Sequence, residues 1–136
     1  MKLSRSRFLL AGVALCSVAT TALAHHSFAG VFDVNKPVTV TGTIAKIEWI
    51  NPHSYFYVDV KEKGETVRWA FESLPPSMFK HTGLKREMLP LGAEVTVNGY
   101  AAKDGTKALG WVKRFTFADG RVIQVTGDNP AEAEGK

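Results

Sequence analysis

From Val38 onward, apolar and polar residues alternate along most of the chain, which is the period of half-buried β-strands. Val38, Val40 and Ile44 are interleaved with Thr39, Thr41 and Thr43. The apolar phase then moves by one residue, to Ala45, Ile47 and Trp49. A slip of one turns every later side chain to the other face of a sheet. The first strand should therefore carry a bulge or bend near residues 44–45, with Gly42 just before it supplying flexibility. Asn51-Pro52 breaks the strand. From His53 to Val60, Phe56, Val58 and Val60 share one face, and Tyr55, Tyr57 and Asp59 the other. Lys61-Glu62-Lys63-Gly64 reads as a polar turn, and Val67, Trp69 and Phe71 mark a third strand.

Between Leu74 and Leu91 the alternation is lost. Pro75 and Pro76 suit the start of a helix, Ser77 to His81 make a turn or two of it, and Gly83 suits its end. Strands resume with Val95, Val97 and Gly99, and again with Leu109, Trp111, Phe115 and Phe117 after an Asp104-Gly105 turn. Asp119-Gly120 is a hairpin signal leading into Val122–Val125. Three strands, a short helix and two or three further strands predict a mainly β protein. The order and the bent first strand fit a small OB-like Greek-key β-barrel of five to six strands, its helix filling the gap between strands 3 and 4. An open β-sandwich is the rival architecture; closure leaves fewer exposed edges. The predicted domain covers residues 25–126, with a loose polar tail over 127–136.

Residues 1–24 have the anatomy of a signal peptide. Lys2, Arg5 and Arg7 precede the apolar run Phe8–Leu15, and small residues lead to Ala22-Leu23-Ala24, an A-x-A cleavage pattern. The run is shorter than the roughly 20 residues of a transmembrane helix, so no membrane anchor is expected. Leu15 before Cys16 argues against lipidation. The expected product is periplasmic, or secreted. Cleavage removes the single cysteine of the 136 residues, and with it any disulfide, thiolate nucleophile or sulfur metal ligand. It also removes three basic residues and no acid, so most of the formal net charge of +4 belongs to the leader. Over the full 136 residues, a composition 45% hydrophobic and 22% charged is that of a folded chain, not a disordered one.

Cleavage after Ala24 would expose His25-His26-Ser27-Phe28. An amino-terminal histidine offers its α-amine and ring Nδ1 to one metal ion; His26 adds an imidazole and His53 a third. Nitrogen donors without sulfur suit Cu(II), with Zn(II) or Ni(II) below it in affinity. Cleavage after Ala22 would instead place His25 third in the chain, the arrangement that encloses Cu(II) in a square plane. The alternative is that the two histidines form a solvated tail with no dedicated metal site. His53 follows a strand break, where functional side chains of small barrels gather; a structural ring-to-carbonyl bond is its bland reading. His81, beside Lys80, reads as surface, and Met78 and Met88 as core filling.

Other chemistry is sparse. The chain has no Gly-rich phosphate loop, nucleophile elbow or H-E-x-x-H. Glu48, Asp59, Glu72 and Glu94 read as solvated positions on strand faces and not as a converging acid–base pair, so a non-enzymatic binding protein is expected. Tyr55, Tyr57, Arg68 and Lys61 would suit single-stranded nucleic acid on such a barrel, but the near-neutral exported chain lacks the charge for it. The second functional reading is an envelope interaction or small-ligand module. Its contact residues would be Trp49, Asn51, Tyr55, Tyr57 and Arg68, and its partner an unidentified protein or small ligand of the periplasm. Trp49, Trp69 and Trp111 fall in phase with apolar neighbours, which favours core packing.

The runs His25-His26-Ser27-Phe28-Ala29, Phe32-Asp33, Lys36–Thr43, Glu48-Trp49-Ile50-Asn51-Pro52-His53, Leu89–Val97 and Ala118-Asp119-Gly120-Arg121 together resemble a family of small exported bacterial proteins, domain of unknown function family 6152. The likeness extends from His25 to about Val125, and its most specific pieces are His-His-Ser-Phe and Trp-x-Asn-Pro-His. It implies export and a compact OB-like β-barrel, and supplies no activity. Leu74-Pro75-Pro76-Ser77-Met78 stands where the family resemblance implies a Gly-rich segment.

Overall fold

A computed structural model describes residues 28–127. One helical turn, α1 (Phe28–Val31), leads into β1 (Phe32–Glu48), followed by β2 (Tyr55–Glu62), β3 (Glu65–Glu72), α2 (Phe79–Thr82), β4 (Glu94–Ala102), β5 (Leu109–Phe117) and β6 (Val122–Gln124). The first half of β1 pairs with β4 and its second half with β2, all antiparallel. A short parallel pairing of β3 with β5, from Ala70↔Leu109 to Glu72↔Trp111, joins the two ends of this sheet. The ladder thus runs β1–β2–β3–β5–β4 and back to β1, with β6 a hairpin partner of β5. This is the OB-like ring that the strand order and bent first strand predict.

Its interior holds the alternating apolar positions: Ile44, Phe56, Val58, Phe71, Val95, Val97, Val112 and Phe115 are essentially inaccessible. The faces of β2 are as the alternation predicts, with Phe56 and Val58 fully buried between half-buried Tyr55, Tyr57 and Asp59. Between β3 and β4 a 3-10 turn (Pro76–Met78) runs into α2, which ends at Gly83 in the left-handed conformation that closes many helices. The helix is shorter than one with independent stability and is held by packing. Phe79 is buried against Phe56 and Trp49, at ring separations of 6.3 and 5.4 Å. Met78 and Met88 pack against the core, and His81 is exposed.

The bend in β1 lies where the phase of the sequence changes. The register with β2 moves between Ile44 and Lys46, so Ala45 is the extra residue. Gly42 contributes more than the flexibility expected of it: a Cβ there would lie 2.3 Å from the Asp59 carbonyl oxygen, so β1 and β2 approach only because it has none.

A second bulge is hidden in the sequence. Leu109, Trp111, Phe115 and Phe117 look like a single apolar face, but Gly99 pairs with Val112 while Asn98 pairs with Arg114. Lys113 is the extra residue, and its carbonyl accepts the N–H groups of both Val125 (2.9 Å) and Thr126 (3.1 Å). Phe115 and Phe117, opposite Val97 and Val95, point inward, and so do Gly110 and Val112. Trp111 points outward. It is nonetheless fully buried, as core packing requires, because the N-terminal segment covers it. Phe28 and Phe32 place their rings 5.3 and 5.7 Å from the indole. The ring of β-strands therefore has an apolar centre and a second apolar cluster on its outside. Among the described residues, no helix is long and apolar enough to cross a membrane.

Candidate functional site

The same registers set a row of side chains around the outside of the sheet. Glu48 on β1 opposes Tyr55 on β2, Tyr55 opposes Glu72 on β3, Glu72 lies beside Trp111 on β5, and Trp111 opposes Tyr100 on β4. Paired residues share a face in both parallel and antiparallel ladders, so one continuous band crosses five strands. It is polar at the β1 end and aromatic at the β5 end.

His53 sits where the band changes character. Its Nδ1 contacts Glu72 Oε1, and its ring stands edge-on to the Trp111 indole at 5.9 Å. Both partners of this contact are largely withdrawn from solvent, with side-chain exposures of 20% for His53 and 12% for Glu72. The backbone beneath is firm. Ser54 N–H donates to the Leu74 carbonyl (3.2 Å) and Ser73 N–H to the Ser54 carbonyl (3.0 Å), which prolongs the β2–β3 ladder past the histidine and the glutamate. Asn51-Pro52, a cis peptide, turns the chain into this position from the end of β1.

The two tyrosines are tied to carboxylates. Tyr57 donates its hydroxyl to Glu48 Oε2 at 2.8 Å, and Lys46 reaches the other oxygen of Glu48 at 2.5 Å. The Lys46 hydrogen bond, with that of Tyr57, holds the Glu48 carboxyl below its usual range, and the hydrogen bond to Glu48 raises the Tyr57 phenol. Burial, aided by the Glu72 charge and a hydrogen bond to that carboxylate, pushes Tyr55 up to about 12. The Tyr55 phenol is therefore a permanent donor at any physiological pH. A phenol whose pKa is raised on folding stabilises fully below its unfolded value of 10.0 and loses that contribution as pH climbs through the folded value. Denaturant midpoints measured from pH 9 to 12 should fall more steeply for the wild type than for Tyr55→Phe, which has no proton to lose there.

The residues named by the sequence divide as follows. His53 lies on the band; His25 and His26 lie outside the described residues, as do the leader and the end of the tail. Tyr55 and Tyr57 are stacked at 6.4 Å on the same face. Arg68 is exposed and holds Asp59 through a fork of 2.7 and 2.9 Å. Trp49 packs at its edge on Phe56 and Phe79 beneath the Arg86 guanidinium, and Asn51 is exposed at the bend. The band thus brings together His53, Tyr55 and Tyr57, while Trp49 and Arg68 belong to separate contacts. Glu72 is the residue the sequence conceals. It reads as a solvated strand position, yet it is withdrawn beneath His53 and Tyr55 because the β3–β5 pairing ends beside it. Among the described residues no three histidine, cysteine or carboxylate side chains that could hold a metal ion come together; His53 and Glu72 meet as a pair.

These features define a small OB-like β-protein with a histidine–carboxylate pair on an outer aromatic platform. The chain matches, over residues 13–111, a family of unknown function (DUF6152), and it belongs to that family. No curated protein and no solved structure matches it.

Proposed function

We propose that this is an exported, non-enzymatic metal-binding protein of the periplasm, taking Cu(II), or Zn(II), through the amine and ring of His25, the ring of His26 and the ring of His53. The observation that carries this reading is the shared use of Trp111. His53 stands against the indole at 5.9 Å and Phe28 at 5.3 Å. Only Ser27 separates Phe28 from His26, and two residues of chain reach about 7 Å. The amino terminus left by cleavage after Ala24 would start within reach of the His53 imidazole. A tethered end of this kind raises the local concentration of its donors. Imidazole and amine nitrogens on a half-buried support match the preference of Cu(II).

Calorimetric titration of correctly processed protein with Cu(II) tests this. Binding should weaken by at least about tenfold when His53 is replaced by alanine, the scale on which a lost ligand or its immediate support acts. It should weaken similarly when one residue is added before His25, which removes the free amine from the chelate. Equal, weak binding in all three samples would leave the second reading, an interaction or small-ligand module using Tyr55 and Tyr57. Against that reading stand the commitments of its polar groups: Tyr57 is bonded to Glu48 and Arg68 to Asp59.

A further inference from the structure

We infer that Glu72 is the positioning carboxylate of this centre: it holds His53 in the Nδ1–H form, so that Nε2 is the one ring nitrogen offered to a metal. The inference rests on the metal-binding reading above and adds to it a residue and an atom. Two groups determine the geometry. The Glu72 carboxylate accepts from His53 Nδ1, which makes that nitrogen a donor and leaves the lone pair on Nε2. The Trp111 indole stands perpendicular to the imidazole, at an interplanar angle of 89°, and limits its rotation. Glu72 is itself fixed by its place opposite Tyr55 on β2 and beside Trp111 at the end of the β3–β5 ladder. A histidine ligand whose second nitrogen donates to a carboxylate is oriented and made more basic. Here that support is in place on strands, not loops, before any metal arrives. Phe28 lies on the same indole as the oriented ring.

The test has a metal-free half and a metal-loaded half. In metal-free protein, the ¹⁵N shifts of the His53 imidazole at a pH where the ring is neutral should show Nδ1 protonated and Nε2 bare. Glu72→Ala should shift the balance toward the Nε2–H form, and Glu72→Asp should restore the wild-type pattern in part. In the loaded protein, Glu72→Ala should weaken Cu(II) binding about 10- to 100-fold, with Glu72→Asp intermediate. Glu72→Gln, which keeps the size of the side chain, serves should the alanine variant fold poorly; its affinity should also fall. A wild-type His53 carrying its proton on Nε2 overturns the inference. Copper binding that is lost in His53→Ala yet unchanged in the Glu72 variants overturns it while leaving the metal-binding reading intact. Absence of any His53-dependent binding overturns both.

Discussion

Trp111→Ala should destabilise the protein by about 3–5 kcal/mol, the range for truncating a buried large aromatic side chain. That is a large part of the roughly 5–15 kcal/mol that holds a domain of this size together. The indole has no exposed surface, and the rings of Phe28, Phe32 and His53 all bear on it. Its N–H donates to Thr126 Oγ1 at 3.3 Å, and that hydroxyl in turn donates to the Val112 carbonyl at 3.0 Å. Truncation leaves a cavity on the outside of the sheet, which the turn of α1 is free to collapse into or abandon. Urea unfolding followed by far-ultraviolet circular dichroism measures the loss. Trp111→Phe separates the contributions: it keeps most of the ring contact, gives up one hydrogen bond worth about 1 kcal/mol, and should lie much nearer the wild type. A Trp111→Ala loss below about 1 kcal/mol would mean that the outer cluster contributes little to folding. It would also remove the platform on which the metal site is proposed to stand.

The elements legible in the sequence are those where pairing and patterning agree locally. The phase slip after Ile44 announces the bulge at Ala45, and the alternation of Phe56, Val58 and Val60 with Tyr55, Tyr57 and Asp59 gives the faces of β2. Pro75-Pro76 and Gly83 bracket the helical segment. The features that escaped it depend on partners distant in the chain. An odd-numbered run from Leu109 to Phe117 gives no hint that Lys113 is skipped in the register, so the outward direction of Trp111 could not be read. Glu72 ends a strand like any solvated residue; only the parallel contact with β5 and the return of His53 across it withdraw it from water. His53 stood out because Asn51-Pro52 precedes it, but its carboxylate partner lies 19 residues on, a separation that no local pattern encodes. The site is a product of ring closure, and ring closure is what a single sequence expresses least directly.

Gly99→Ala is expected to be the most damaging small substitution in the protein, because it acts on the bulge that turns Trp111 outward. A Cβ at residue 99 would lie 2.0 Å from the Trp111 carbonyl oxygen and 3.1 Å from its carbonyl carbon. Those are backbone atoms, so no side-chain rotation relieves the contact; β4 and β5 must separate or change register. Overpacking within a core typically costs about 1–3 kcal/mol, and a backbone collision at a ladder junction belongs at or above the top of that range. The damage should also be directional. Moving β5 one residue to absorb the bulge would send Trp111 into an interior already filled by Phe71 and Phe56, and would break the double acceptance of Val125 and Thr126 by the Lys113 carbonyl. The easier response is to loosen the end of β5 that carries Gly110 and Trp111, which frees both the Phe28 anchor and the edge contact with His53. Gly99→Ala should therefore lower the unfolding midpoint and expose the indole to acrylamide quenching and, on the proposed metal-binding reading, weaken Cu(II) binding. Gly127→Ala, where an added Cβ meets nothing within 4 Å, should stay within about 0.5 kcal/mol of the wild type. If Gly99→Ala behaved like that control, β4 and β5 would have a slack that the paired register denies, and the outward placement of Trp111 would need another cause.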